Sequence, residues 1–371
     1  MIPVYEPDIG EFELANVVDC VKRKALSGTI TEDYIGQFER LMSEHCGVKH
    51  GIVTTSGTTA LALAVACLGL GPDDEVIVPA FTNIATALAV VYSGAKPVFA
   101  DSEKQTWNID INQLRSLITP KTKAIIPVHI FGHPVEMEPL MQLAKEFNLY
   151  IIEDAAEAQG AKYRNQPIGS FGQMSCFSFY INKIITTGEG GMVMTNDDDL
   201  AQKARLLKNL AYSNRDKFIH HHIGYNYRLT NLQAAMGVAQ LNRLEEIVGK
   251  KRQVAHWYTE RLNEVSGLQL PCEMSWAKNV YWVYGVVLGK EMPTRQEVRD
   301  ALAQEGIETR NFFYPMNRQP VFVERGISSV SSCLPVCDWL WDRGLYLPSG
   351  PGLTEREVDT ICATLVKCLR K

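Results

Sequence analysis

At about 100–200 residues per domain, the 371 residues suffice for two domains, or for one large domain with a smaller appendage. The composition, 46% hydrophobic and 21% charged, is that of an ordinary soluble globular protein. A net charge of −5 carries no electrostatic footprint for nucleic acid or an anionic membrane, and no apolar run reaches the roughly 18 residues of a spanning helix. The opening MIPVYEPDIGEFE lacks the basic and apolar regions of a secretory leader, and the nine cysteines are odd in number and set mostly in apolar patterns. Both features predict reduced thiols in a cytoplasmic protein. Cys333 and Cys337 are the closest pair, but no second pair or histidine follows at zinc spacing, so no metal is expected.

The first 25 or so residues look helical, with a possible docking on the C-terminal part of the chain. Short β-prone runs then alternate with helical patterns. Strands are predicted at Gly51–Thr55, Glu75–Pro79, Pro97–Asp101, Ala124–His129, Leu149–Glu153, Cys176–Tyr180 and Met192–Thr195. Helical spacing fills the gaps, as in Thr58–Leu68 and Met137–Phe147. This alternation, with near-continuous Val/Ile runs such as IIPVHI, predicts an α/β fold: a mostly parallel seven-stranded sheet flanked by helices. A long helix over Leu229–Leu262 carries the chain out of the sheet. Val280–Leu288, a helix near Thr294–Glu305 and Ile361–Leu369 read as a smaller α+β domain. The division expected is 1–245 for the large domain and 246–371 for the small one.

Ligands of parallel α/β sheets gather at the carboxyl ends of the strands, and four features fall there. In TTSGTTAL, Ser56, Gly57 and Thr58 stand at the start of a helix, which is either a plain N-cap or an anion site. In IIEDAAEAQGA, Asp154 follows an apolar strand, where a carboxylate either caps the next helix or faces a cationic ligand. Glu157, three residues on, shares its side if the segment is helical. In CFSFYINKIITTGEGGMVMTND, Lys183 lies in a crowded apolar turn, unlike a surface lysine, and offers a nucleophilic amine. In IGYNYRLTNLQAAMG, Gly224, Asn226 and Arg228 precede a helix capped at Thr230; this is either a simple loop or one delivered to a site in another subunit. The triplet His220, His221 and His222 reads as a loop near a ligand.

A phosphate cradle, a carboxylate and a lysine on neighbouring strand ends are what pyridoxal 5′-phosphate requires. The carboxylate keeps the pyridine nitrogen protonated, the lysine takes the aldehyde as a Schiff base, and the helix N-terminus anchors the phosphate.

SGTTAL, VPAFTNIATA, IIEDAAEAQGA, SFYINKIITTGEGG and GYNYRLTNLQAA together resemble the DegT/DnrJ/EryC1/StrS family of pyridoxal-phosphate sugar aminotransferases, over nearly the whole chain. The resemblance implies the aspartate-aminotransferase (type I) fold. It makes Lys183 the Schiff-base lysine and Asp154 the partner of the pyridinium nitrogen. Gly57, Thr58 and Ser178 become the phosphate loop, with Glu157 near the ring hydroxyl. Asn226 would reach the phosphate of a neighbouring subunit, which implies a homodimer with shared sites. VHIFGHPVEME, Glu157, the Asn182–Lys183 pair, ITTGEGGMV and TRNFFYPM resemble the subset that aminates the C4 ketone of GDP-4-keto-6-deoxymannose. L-Glutamate is the donor there, and pyridoxamine phosphate forms between the half-reactions. Amination at C3, a UDP- or dTDP-linked substrate, or a cofactor-binding relative without turnover are the alternatives. Arg228, His220 and Asn317 are the candidates for substrate contact. Three positions depart from the family pattern. Asn83 stands where many relatives stack an aromatic residue on the cofactor ring, Asn317 replaces a histidine near the sugar, and the loop Ala211–His222 differs.

Overall fold

The computed structural model describes residues 1–26, 33–212, 216–328 and 333–370. Its centre is a seven-stranded sheet: β1 (His50–Thr54), β2 (Glu75–Pro79), β3 (Lys96–Ala100), β4 (Thr122–Ile125), β5 (Tyr150–Asp154), β6 (Met174–Ser178) and β7 (Gly191–Thr195). The spatial order is β1-β7-β6-β5-β4-β2-β3. β7 runs antiparallel to both neighbours and the other pairings are parallel. Every residue of β6 and β7 is buried, as a sheet covered on both faces demands.

Only Glu75–Pro79 keeps its predicted bounds; the other six strands shift at one or both ends, by one to four residues. Pairing on β3 runs Lys96–Ala100 rather than Pro97–Asp101. β4 ends at Ile125, four residues before the predicted His129. Pro127 has no N–H to continue the ladder; its carbonyl accepts from Asp154 N–H at 2.9 Å, and Val128 makes only an isolated bridge to Asp154.

The predicted single helix Leu229–Leu262 is two helices, Asn231–Asn242 and Leu244–Leu262. They meet at Arg243, whose φ of −103° and ψ of 5° leave the helical range. The second carries the chain to a four-stranded antiparallel sheet of Leu268–Gln269, Tyr284–Leu288, Gly344–Leu347 and Arg310–Asn311. Helices Leu244–Leu262, Arg295–Gln304 and Glu355–Leu369 share a second hydrophobic core with this sheet, built on Tyr258, Leu262, Val286, Leu302 and Ile361.

The N-terminal segment divides between the two cores. Ile2 bridges to Ile307 beside the small sheet. The helix Glu11–Lys22 instead lies on Asn231–Asn242, where Asn16 Nδ2 donates to the Ala235 carbonyl at 3.1 Å.

Candidate active site

The carboxyl ends of β1, β2, β5 and β6 and one distant indole build a cavity of about 230 Å³. Its walls include Ser56, Gly57 and Thr58, then Asp154, Glu157, Ser178, Lys183 and Trp282.

Ser56 N-caps the helix Gly57–Cys67: its hydroxyl accepts from Thr59 N–H at 3.2 Å, and its own N–H donates to Thr59 Oγ1 at 3.0 Å. The cap reading of TTSGTTAL is met, and it leaves room for the anion-site reading. The cap uses Ser56 and Thr59, while the first-turn N–H groups of Gly57 and Thr58 have no partner within the helix and border the cavity. Gly57 is needed for close approach, because a Cβ there would lie 2.7 Å from Ser178 Cβ. That contact seats the helix N-terminus on the end of β6.

Asp154 is the last residue of β5 and only 4% exposed. Thr86 Oγ1 donates to its Oδ2 at 2.7 Å and Ala156 N–H to its Oδ1 at 3.2 Å. Burial raises its pKa; Thr86, the Ala156 N–H and the positive charge of Lys183 oppose the rise. Among the described residues no cation pairs with it directly. A carboxylate so placed is matched to a cationic ring nitrogen.

Lys183 lies in the connection between β6 and β7 and is pulled into the cavity by its surroundings. Ile184 and Ile185 are buried. Its backbone N–H donates to the Tyr180 carbonyl at 2.9 Å, and its carbonyl accepts from Tyr5 Oη at 2.6 Å. The Nζ atom lies 3.9 Å from Glu157 Oε1 and 3.8 Å from the centroid of the Trp282 ring. Burial lowers the pKa of this amine, against the pull of Glu157 and Asp154. Burial likewise pushes the Glu157 carboxyl up to about 7, with Lys183 and the Phe131 N–H opposing. That N–H donates to Glu157 Oε2 at 2.8 Å from a residue with φ +54°.

The sequence reading missed Thr86, Trp282, Tyr5 and Phe131. VPAFTNIATA contains Thr86, so a partner for Asp154 was within a quoted motif; Trp282 and Tyr5 carry no local signal. Asn83 lines the cavity, and its side chain accepts from Ala85 N–H at 3.0 Å as a helix cap.

Asn226, Arg228, His220 and Asn317 are not among the cavity-lining residues of this chain. Asn226 is exposed and bridges Asn209, to whose Oδ1 Arg228 donates at 2.9 Å. His220 is exposed, with Nδ1 2.9 Å from the Leu210 carbonyl. Residues 213–215 of the loop Ala211–His222 lie outside the described residues. Asn317 is buried in the turn Met316–Arg318, its carbonyl accepting from Ser328 Oγ at 2.9 Å.

The donor set fits pyridoxal phosphate: helix N–H groups and the Ser178 hydroxyl for the phosphate, an unpaired buried carboxylate for the ring nitrogen, and an amine of lowered basicity for the aldehyde. Fold and site together define a class, the pyridoxal-phosphate-dependent aminotransferases. The model of the DegT/DnrJ/EryC1/StrS aminotransferase family matches residues 7–366. The chain is similar to a GDP-perosamine synthase of Caulobacter vibrioides, 42% identical and covering 99% of this chain and 98% of that one. It is similar to another of Escherichia coli O157:H7, at 40% identity over 98% and 97%. Among solved structures it resembles the PLP-form of the putative sugar aminotransferase Spr1654 from Streptococcus pneumoniae, with a TM-score of 0.92, 26% identity and coverage of 100% and 98%. The chain belongs to the DegT/DnrJ/EryC1/StrS aminotransferase family.

Proposed function

We propose that this enzyme moves an amino group from L-glutamate to the C4 ketone of GDP-4-keto-6-deoxymannose, the reaction of a GDP-perosamine synthase. The observation that carries the reading is Lys183 Nζ, buried in one cavity with Asp154 and Glu157, in a chain 42% identical over 99% of its length to a protein of that name.

When bound, pyridoxal phosphate supplies the electron sink and carries the amino group between donor and acceptor. Lys183 is the residue that would hold the aldehyde, and its amine, when free, would carry the proton to and from the substrate carbon as general base and acid. Asp154 would hold the proton on the ring nitrogen through a charge-assisted hydrogen bond. Gly57, Thr58 and Ser178 orient the phosphate. Glu157 stands beside the amine, where it would face the ring hydroxyl.

Lys183 is the only cation in this cavity lining among the described residues, too few for a nucleotide diphosphate as well. A homodimer supplies the rest: Asn226 and Arg228 of one copy face the site of the other. Phe12, 70% exposed, and Ile223, 88% exposed, are apolar side chains that such an interface covers. No helix among the described residues is long and apolar enough to cross a membrane, in keeping with a cytoplasmic enzyme.

The test incubates purified protein, cofactor and L-glutamate with GDP-, UDP- and dTDP-linked 4-keto and 3-keto sugars, and identifies products by NMR. Amination of the GDP-linked 4-ketone above the others supports the reading. Preference for a 3-ketone or another nucleotide overturns the substrate assignment, and failure to form 2-oxoglutarate with any sugar overturns the activity.

A further inference from the structure

Behind the cavity wall, Lys251 of the helix Leu244–Leu262 is buried to 1% exposure, and no carboxylate pairs with it among the described residues. Its Nζ donates to the Trp282 carbonyl at 2.8 Å and to the Ser349 carbonyl. It also lies 5.4 Å from the centroid of the Tyr5 ring. An ammonium in such a place is costly unless its hydrogen bonds do something that an apolar side chain cannot.

Its three neighbours converge on the reactive lysine. Trp282 is a hub with three directed hydrogen bonds. The carbonyl accepts from Lys251; the backbone N–H donates to the Phe131 carbonyl at 2.8 Å; the indole N–H donates to the Asn182 carbonyl at 2.6 Å. Phe131 in turn holds Glu157, and the Trp282 ring lies under Lys183 Nζ. Tyr5, packed on Lys251, donates to the carbonyl of Lys183 itself. Ser349 closes the arrangement: its N–H donates to the Val4 carbonyl at 2.9 Å, which holds the segment that carries Tyr5.

We propose that Lys251 is a positioning residue for the reaction: through Trp282 and Tyr5 it sets where the Lys183 amine stands relative to Glu157. The inference rests on Lys183 being the reacting amine. A hydrophobic replacement of similar length fills the space but leaves the Trp282 and Ser349 carbonyls without their donor, so the ring can slide from beneath Lys183. Burial also pushes the Lys251 amine down to about 7, in keeping with a group that has no partner of opposite charge. The titratable groups facing this assembly are the Tyr5 phenol on the Lys251 side and Glu157 and Asp154 on the Lys183 side.

The experiment compares unsubstituted protein, Lys251→Met and Tyr5→Phe. In cofactor-free protein, trace acetylation with acetic anhydride across pH 6–10, read by peptide mass spectrometry, gives the titration midpoint of Lys183. Thermal unfolding and circular dichroism report the fold, and kcat and KM are measured after cofactor loading. The expected result for folded Lys251→Met is a Lys183 midpoint moved by about half a pH unit or more. A kcat about tenfold lower with little change in KM should accompany it, the size of effect that a misplaced reacting group produces. A folded Lys251→Met with the Lys183 midpoint and kcat of the unsubstituted protein overturns the proposal. Should Lys251→Met not fold, Tyr5→Phe decides: it keeps both Lys251 hydrogen bonds and removes only the hydroxyl on the Lys183 carbonyl, and an unchanged midpoint overturns the proposal. Acetylation requires neither cofactor nor sugar, so the two readings fail separately. A normal Lys183 titration with no amino transfer sinks the function, whereas amino transfer with a midpoint indifferent to both substitutions sinks the role of Lys251.

Discussion

Lys183 Nζ stands 3.9 Å from Glu157 Oε1, while Asp154 takes its hydrogen bonds from Thr86 and Ala156. The amine thus has its own acid, and the other carboxylate is left for a different cation. Two buried carboxylates three residues apart would repel if both faced one charge. Only Glu157 comes within ion-pair distance of the amine, and this difference frames the predictions below.

Lys183→Ala removes the amine that takes the aldehyde. The visible absorbance of the cofactor-loaded protein should disappear, and amino transfer should fall by about 10³-fold or more, as expected where the group is both covalent ligand and proton carrier. Spectra and coupled measurement of 2-oxoglutarate check it; turnover near the normal rate would falsify the assignment.

Asp154→Asn keeps the shape but removes the charge that faces the ring nitrogen. The expected result is a kcat about 10²–10³-fold lower, with cofactor affinity changed far less. Fluorescence titration of the cofactor beside steady-state kinetics separates the two. An equal loss in both would mean that Asp154 mainly binds.

Gly57→Ala puts a methyl group 2.7 Å from Ser178 Cβ, where neither backbone can yield easily. The helix N-terminus should shift off β6, with a stability loss of about 1–3 kcal/mol and weaker cofactor binding. Urea unfolding and dialysis against pyridoxal phosphate measure both. Unchanged cofactor affinity would remove this helix end from the phosphate site.

Glu157→Gln tests the buried acid through pH. Burial raises the native pKa of Glu157 from 4.5 to about 7, so the folded state binds a proton that the unfolded state has lost between these values. The stabilisation is full below about pH 4.5 and is lost as the pH rises through about 7. In cofactor-free protein the substitution should remove this decline, flattening stability between those pH values by about 3 kcal/mol. Chemical denaturation at a series of pH values shows it; identical slopes for the two proteins would mean that Glu157 ionises as freely as in water.

Much of the sheet was readable because its signals are local. Runs of Val and Ile broken by glycine and by capping residues mark the strand ends, and chemistry at strand ends needs only sequence order to be placed. The misreadings share a cause. β4 stops early because Pro127 and the turn at Phe131 break a run whose composition still looks like strand. The helix after Leu229 breaks at Arg243, where Asp8 and Glu13 of the N-terminal segment hold the guanidinium at 2.8 and 3.2 Å. No helical pattern reveals that pair, since its partners lie more than 200 residues away.

What the amino-acid order alone determined is the alternating architecture, and that Asp154 and Lys183 each stand near the end of a buried strand. Tertiary structure decided which groups surround them. The parallel pairing of β6 with β5 sets Lys183 at the same end of the sheet as Asp154. The turn after β5 sets Glu157 rather than Asp154 within 3.9 Å of the amine. Trp282 and Tyr5 arrive from segments 99 and 178 residues distant in the chain, through the hydrogen bonds Trp282 Nε1–Asn182 O and Tyr5 Oη–Lys183 O. The physical reason is that hydrophobic period and turn chemistry act over a few residues, whereas the neighbours of a buried charge are chosen by the packing of elements that only the folded chain brings together.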